Sequence, residues 1–224
     1  MVKRQGVWRE AGPKQIVMTV TGKQMSPQSA QVVAESKLRA GDSFLKTVYT
    51  FYGNGRIVIE GNLAADPKMP DLPRIGMQMA IPGAFRYVTW YGRGPQENYL
   101  DRNTGAAIGI YSAPVDTLWF PYIEPQETGN RTDVRWITLL DNTGSGLKAS
   151  GLPTLYFSAW PFKMEELEKH KHPNELKKSA DITVNLDYRQ MGVGGDDSWG
   201  ALPHDEFMLH PGRYSWKFSL EPVE

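Results

Sequence analysis

Short stretches in which apolar and polar residues alternate, or in which β-branched residues gather, recur along the whole chain. They fall at 15–23, 30–38, 47–52, 56–63, 74–81, 87–91, 107–111, 134–141, 155–160, 181–191 and 214–220. Successive side chains of a strand point to opposite faces, so this alternation marks strands with one face against a core. In 56–63, for example, Ile57, Ile59 and Leu63 keep one parity, which Gly61 interrupts. Turn signals stand between the stretches, among them Gly53-Asn54-Gly55 and Asp141-Asn142-Thr143-Gly144. Many strands without interleaved helices leave a sandwich or a barrel as the fold.

One stretch, 163–172, has helical character: Met164, Leu167 and flanking charges make a short amphipathic segment that Pro173 stops. It reads as a surface crossover. No repeat, low-complexity tract or flexible linker divides the chain, so residues 1–224 are expected to form a single all-β domain. A length of 224 residues suffices to bury a proper core, and 7 Trp, 10 Tyr, 22 Gly and 16 Pro suit many strands joined by tight turns.

Charge and hydropathy narrow the partners. Lys plus Arg equals Asp plus Glu at 25 each, so nothing draws the chain generally to nucleic acid or anionic lipid, and a neutral ligand fits better. Mean hydropathy is -0.46, and no apolar run approaches the roughly 18 to 20 residues that span a bilayer, so no membrane partner is expected. The absence of cysteine removes disulfides, thiolate nucleophiles and cysteine metal sites, and leaves cytoplasm and periplasm both open. The first residues, Met-Val-Lys-Arg-Gln-Gly-Val-Trp, lack the apolar stretch of a secretion signal.

Three polar segments punctuated by Gly and Pro adjoin strands: 90–102, 121–131 and 191–200. Polar, aromatic-rich loops on a rigid sheet are where binding residues usually sit. The third combines Gly192, Gly194 and Gly195 with Asp196, Asp197 and Trp199. A pyranose offers C–H groups that pack on an indole and hydroxyls that need directional acceptors, so this pairing suits a neutral carbohydrate. The alternative is that Trp199 caps the core while Asp196 and Asp197 make turn hydrogen bonds. Neither glycine loop fits a nucleotide: Gly92-Arg93-Gly94-Pro95 lacks a third glycine and a βαβ unit, and the 192–195 stretch is followed by two acidic residues that repel an anion.

In the first segment Arg93, Glu97, Asp101 and Arg102 alternate in sign, which favours an ion-pair network over a catalytic dyad. In the second, Glu124, Glu127 and Arg131 lie near Arg135 and Trp136; structural pairing is favoured there, with a Glu facing a sugar as the alternative. His170, His172 and Glu175 sit in a lysine-rich stretch that disfavours a metal cation, so a solvated helix face is expected. His204 and His210 receive no role.

Taken together, Gly-Arg-Gly-Pro-Gln-Glu-Asn-Tyr-Leu-Asp-Arg at 92–102, Pro-Tyr-Ile-Glu-Pro-Gln-Glu-Thr-Gly-Asn-Arg at 121–131 and Met-Gly-Val-Gly-Gly-Asp-Asp-Ser-Trp at 191–199 resemble, in order and context, the C-terminal (small-chain) domain of glycoside hydrolase family 2 β-galactosidases. The likeness runs from Val7-Trp8 to Gly212-Arg213-Tyr214. It implies a large antiparallel super-sandwich of the galactose mutarotase-like type and a parent enzyme that hydrolyses terminal β-D-galactosides with retention. In that family the matching tryptophan reaches the mouth of the active site and helps hold the aglycone sugar, a role that passes here to Trp199, with Asp196 and Asp197 as accompanying substrate-binding residues. Glu97, Glu127 and Arg131 match recurrent motif residues without a catalytic role, so Glu127 and Arg131 remain secondary candidates.

A retaining glycosidase needs two carboxylates about 5 Å apart. In the family these sit on a preceding TIM barrel of roughly 250 residues, which this chain does not contain. No catalytic residue and no metal or cofactor is therefore expected here; the resemblance implies that the magnesium and monovalent cation of the parent enzyme are bound mainly elsewhere. A Thr-Asp-Asn-Asp stretch of the family, expected just upstream, is missing, so Met1 is expected to mark an artificial or excised start. The expected partners are a β-galactoside or acceptor sugar and the remaining domains of the parent, and separation from those domains is expected to expose an apolar docking surface. Two alternatives stand beside this reading: a stand-alone mutarotase-like epimerase pairing Glu127 with a histidine, and a free carbohydrate-binding module.

Overall fold

The computed structural model describes residues 2–197 and 199–224. Eleven strands dominate: β1 (Ile16–Ser26), β2 (Ser29–Lys37), β3 (Phe44–Tyr52), β4 (Ile57–Ala64), β5 (Arg74–Pro82), β6 (Tyr87–Gly94), β7 (Ala107–Pro114), β8 (Arg131–Leu140), β9 (Gly146–Trp160), β10 (Asp181–Gln190) and β11 (Arg213–Val223). Each stretch of alternation overlaps one of them. The crossover helix is α2 (Met164–Lys169); a four-residue α1 (Val2–Gln5) has no counterpart in the sequence reading. No helix among the described residues is long and apolar enough to cross a membrane.

All the strand pairs are antiparallel. The main path runs β1-β2-β3-β4-β11-β9-β8-β6-β7, and β10 joins β5 to β9 off that path. β9 makes the two layers possible. Its first half pairs with β11 from Gly146 to Gly151, and its last residues, Tyr156 to Trp160, pair with β10. The second layer, β5 and β10, contributes Ile81, Ile182, Val184 and Leu186 to the same core cluster as Ile59, Val88, Trp90, Ile137 and Phe218, which lie on strands it does not pair with. Those strands therefore face each other across the core, the arrangement of an all-β sandwich. At its centre the Trp90 ring meets the edge of Phe157 at 5.6 Å, both rings fully buried. Gly61 interrupts the parity of β4 because the ring of Trp216 on β11 occupies the place of a side chain: an added Cβ would lie 2.1 Å from it.

β10 is buried on both faces. Ile182, Val184 and Leu186 enter the core, while Thr183, Asn185 and Asp187 point the other way and are buried too. A buried polar row persists only when it is hydrogen-bonded. Thr183 donates to the carbonyl of Phe162 at 2.7 Å, Asn185 donates to Ser158 at 2.9 Å and accepts from Gln78 at 2.8 Å. A small apolar cluster of Trp160, Phe162 and Leu167 with Trp119 lies beside this row, and Trp160 Nε1 donates to the carbonyl of Thr128 at 2.8 Å. The chain between β7 and β8 is thereby pinned to β9, next to the segments read as chemically special.

The second layer is narrower than the first. On one rung, Gly22, Val32, Tyr49 and Ile59 are paired in turn and share a face; Ile59 is core, yet on β1 of the same face Val20 is 62% exposed. β1 is exposed along its whole length.

Candidate functional site where three loops meet

The first special segment leaves the end of β6 and holds the other two. Glu97 accepts the N–H of Gly129 at 2.6 Å and the hydroxyl of Thr128 at 3.2 Å, while its other oxygen takes Arg102 at 2.8 Å and the hydroxyl of Tyr122. Asn98 accepts both the N–H and the hydroxyl of Thr132, at 3.0 and 2.6 Å; its own N–H donates to the carbonyl of Asn130 at 2.8 Å, and its carbonyl accepts the side-chain amide of Asn130 at 2.9 Å. Asp101 accepts the N–H groups of Val193 and Gly194 at 2.9 and 2.7 Å. The first segment thus supplies the carboxylate and amide acceptors Glu97, Asn98 and Asp101, and most of the donors come from the two later loops and the start of β8.

The alternating charges are not one network. Of the four, only Glu97 and Arg102 pair; Arg93 binds Asp133 at 2.6 Å and the carbonyls of Asn103 and Ala106, and Asp101 binds main chain. Alternation in sequence says which charges are near, not which way a loop turns them.

The glycine-rich stretch does receive an anion, but one of the chain's own. Successive N–H groups close on the Asp101 carboxylate, as backbone nests do for anions generally. Gly192 makes room for it, since an added Cβ would come within 2.8 Å of Asp101 Cγ.

Trp199 stands 95% exposed at the far end of this loop. It does not cap the core. The loop's own turn is made by Asp197, whose Oδ1 accepts the N–H of Trp199 at 2.7 Å and of Ala201 at 3.3 Å. Asp196 pairs with His204 at 2.9 Å. Ser198, between them, lies outside the described residues. Asp197 is thus held at the main chain of Trp199, whose indole touches solvent on nearly all sides, while Asp196 is tied to His204.

Glu127 and Arg131 do not pair with each other. Glu127 Oε2 lies 3.3 Å from Arg74, which also pairs with Asp187. Burial raises the Glu127 carboxyl above the usual carboxylate range, with Arg74 opposing the shift. Arg131, 4% exposed, donates to the carbonyls of Leu118 at 2.5 Å, Gly129 at 2.7 Å and Pro95 at 3.0 Å, and its guanidinium lies 5.3 Å from the centre of the Trp90 ring. Burial lowers its pKa to about 10. Its donors are directed at main chain, which ties the second loop to the core.

Lys169, Lys171, His172 and Glu175 are exposed, as a solvated stretch requires, while His170 is half-buried and held 3.1 Å from Glu166 and 3.8 Å from Glu175. His210 bridges Asp71 and Asp205 at 2.7 and 3.1 Å. Among the described residues no three His, Asp or Glu gather to hold a metal, and none of the four histidines hydrogen-bonds Glu127. The residues that the sequence reading missed are Asn98 and Asp101 as holders of other loops. A visible signal existed: an acceptor-rich segment in the same chain as a glycine-rich segment full of free N–H groups.

Residues 2–220 match the family described as beta galactosidase small chain. The chain belongs to this β-galactosidase small-chain family. A β-galactosidase of Priestia megaterium is 42% identical over 224 residues, covering 99% of this chain and 21% of that protein. One from Streptococcus thermophilus is 35% identical over 219 residues, covering 96% of this chain and 21% of that protein. The small-chain segment thus spans about a fifth of the length of the curated relatives it matches. Among solved structures, an α-galactosidase from Lactobacillus brevis covers 93% of the chain, with a TM-score of 0.50 at 10% identity, over 27% of its own length. A galactose mutarotase related enzyme from Lactobacillus acidophilus covers 92%, with a TM-score of 0.44 at 11% identity, over 72% of its own length. At such identities the likeness concerns the fold alone.

Proposed function

We propose that this chain is the non-catalytic sandwich unit, residues 1–224, of a retaining β-galactosidase that hydrolyses terminal β-D-galactosides, and that its Trp199 loop forms the aglycone side of the active site. The observation that carries this reading is the fully presented indole on a loop whose base is fixed to the sandwich. An exposed tryptophan is costly to leave in water and useful where a sugar's C–H face can cover it. Asp196 and Asp197, held by His204 and by the loop's own N–H groups, keep lone pairs for the sugar hydroxyls. Hydrolysis itself belongs to carboxylates outside this chain, and we place the parent's magnesium and monovalent cation there too. Glu127 is engaged by Arg74 and has no histidine at hydrogen-bond distance, which tells against an epimerase acid/base pair.

The apolar face that runs out along β3, β2 and β1 supports a further part of the reading: the remainder of the longer polypeptide covers it. The test is kinetic. In a full-length enzyme carrying this segment, Trp199→Ala should weaken transfer to, and inhibition by, an acceptor sugar by about 3- to 10-fold, the effect of losing one aromatic contact of roughly 1 kcal/mol. Unchanged acceptor kinetics would overturn the assignment. The 224-residue chain alone should not hydrolyse a chromogenic β-galactoside.

A further inference from the structure

The Trp199 loop starts from β10 with four consecutive tethered N–H groups. Met191 donates to the carbonyl of Pro73 at 3.0 Å, Gly192 to the carbonyl of Phe207 at 2.8 Å, and Val193 and Gly194 to Asp101 at 2.9 and 2.7 Å. The first two acceptors are main chain, which substitution cannot remove. Asp101 is the one side chain in the series and acts on the last two N–H groups before the loop turns outward. Past Gly194, Asp197 bonds only within the loop among the described residues, and Asp196 meets His204 on its returning arm.

Asp101 makes no ion pair among the described residues. Its charge is answered by two main-chain dipoles, in hydrogen bonds that run about twice as strong as neutral ones. Gly192 is a glycine because Asp101 needs its space. The carboxylate and the glycine stretch are therefore fitted to each other across 92 residues of chain.

We propose that Asp101 is the positioning residue of the Trp199 loop: its carboxylate fixes the Val193–Gly194 backbone and so sets where the exposed indole meets an acceptor sugar. This rests on the proposed role of Trp199 for its functional half only. Asp101 touches no sugar; it acts through the loop. Losing it leaves two N–H groups without a partner and a loop whose first outward residues can swing.

Two measurements test it. Hydrogen exchange on the chain itself should show the amides of Val193 and Gly194 exchanging about 10- to 100-fold faster in Asp101→Ala, as expected when a local tether of roughly 1 to 3 kcal/mol is lost. The β10 amides should keep their protection. Asp101→Asn retains a neutral oxygen acceptor and should fall between the two. In the full-length enzyme, Asp101→Ala should raise the acceptor KM rather than lower the maximal transfer rate, and should add little on top of Trp199→Ala. Wild-type exchange at both amides in Asp101→Ala overturns the tether. If Trp199→Ala weakens acceptor use and Asp101→Ala does not, positioning is overturned while the Trp199 reading stands. If Trp199→Ala has no effect, the sugar reading fails, and the exchange result still decides the tether. Should Asp101→Ala unfold, Asp101→Asn decides: intermediate exchange with an unchanged melting temperature supports the tether, and unchanged exchange overturns it.

Discussion

Glu97 accepts the backbone N–H of Gly129 at 2.6 Å, joining two loops that are 32 residues apart. The same carboxylate, with only 11% of its side chain exposed, also receives Thr128, Arg102 and Tyr122. Glu97→Ala would leave the buried N–H of Gly129 and the half-buried hydroxyl of Tyr122 without their acceptor. A loss of about 2 to 4 kcal/mol is expected in urea denaturation, with a smaller loss for Glu97→Gln, whose amide oxygen still accepts. A change below about 0.5 kcal/mol, the level of ordinary surface substitutions, would contradict this view of Glu97.

Two tryptophans should behave in opposite ways. Trp90 is 1% exposed and packs on Phe157 and Tyr111, so Trp90→Ala should cost about 3 to 5 kcal/mol. Trp199 is 95% exposed, so Trp199→Ala should change the stability of the isolated chain by less than about 0.5 kcal/mol. Thermal melts of both variants check this. A marked loss for Trp199→Ala would mean that the indole packs against the domain in solution.

His210 should titrate above the ordinary imidazole value of 6.5, because Asp71 hydrogen-bonds it and Asp205 adds a second negative charge. A folded-state pKa raised above the unfolded one means that the contribution of His210 to stability is complete below the unfolded value. It is lost as pH rises through the folded value. An NMR titration of the imidazole should show the raised midpoint, and Asp71→Asn should bring it down. A midpoint at or below the ordinary value in the wild type would rule the bridge out.

Separated from the rest of a longer enzyme, the chain should self-associate. β1 is an edge strand that carries Ile16, Val17, Met18 and Val20, each more than half exposed, with Lys23 as its one charged residue. Sedimentation velocity over a concentration series should show growing species, and Val20→Lys should suppress them. A monodisperse monomer at every concentration would count against an uncovered face on β1.

Much of the fold was legible because strand alternation is a local property. Ile57, Ile59 and Leu63 announce the buried face of β4 whatever lies opposite, and Asp141–Gly144 announces a turn through bonds made within it. Where the local signal is weak the sequence misled. The first half of β9 was missed because Gly151 and Pro153 break its alternation, yet pairing with β8 and β11 holds it extended. Of the site, the glycine loop and Trp199 were visible as residue types.

The sequence by itself determined an all-β sandwich, three chemically marked loops and, through their motifs, the family. Only the tertiary structure decided which loop holds which. That Asp101 binds Val193 and Gly194 while Glu97 binds Gly129, and that Arg131 turns inward to carbonyls while Trp199 turns outward, depends on strands distant in the chain being brought side by side. A hydrogen bond needs its partners within about 3 Å and aligned, a condition that spacing along the chain does not encode for residues tens of positions apart.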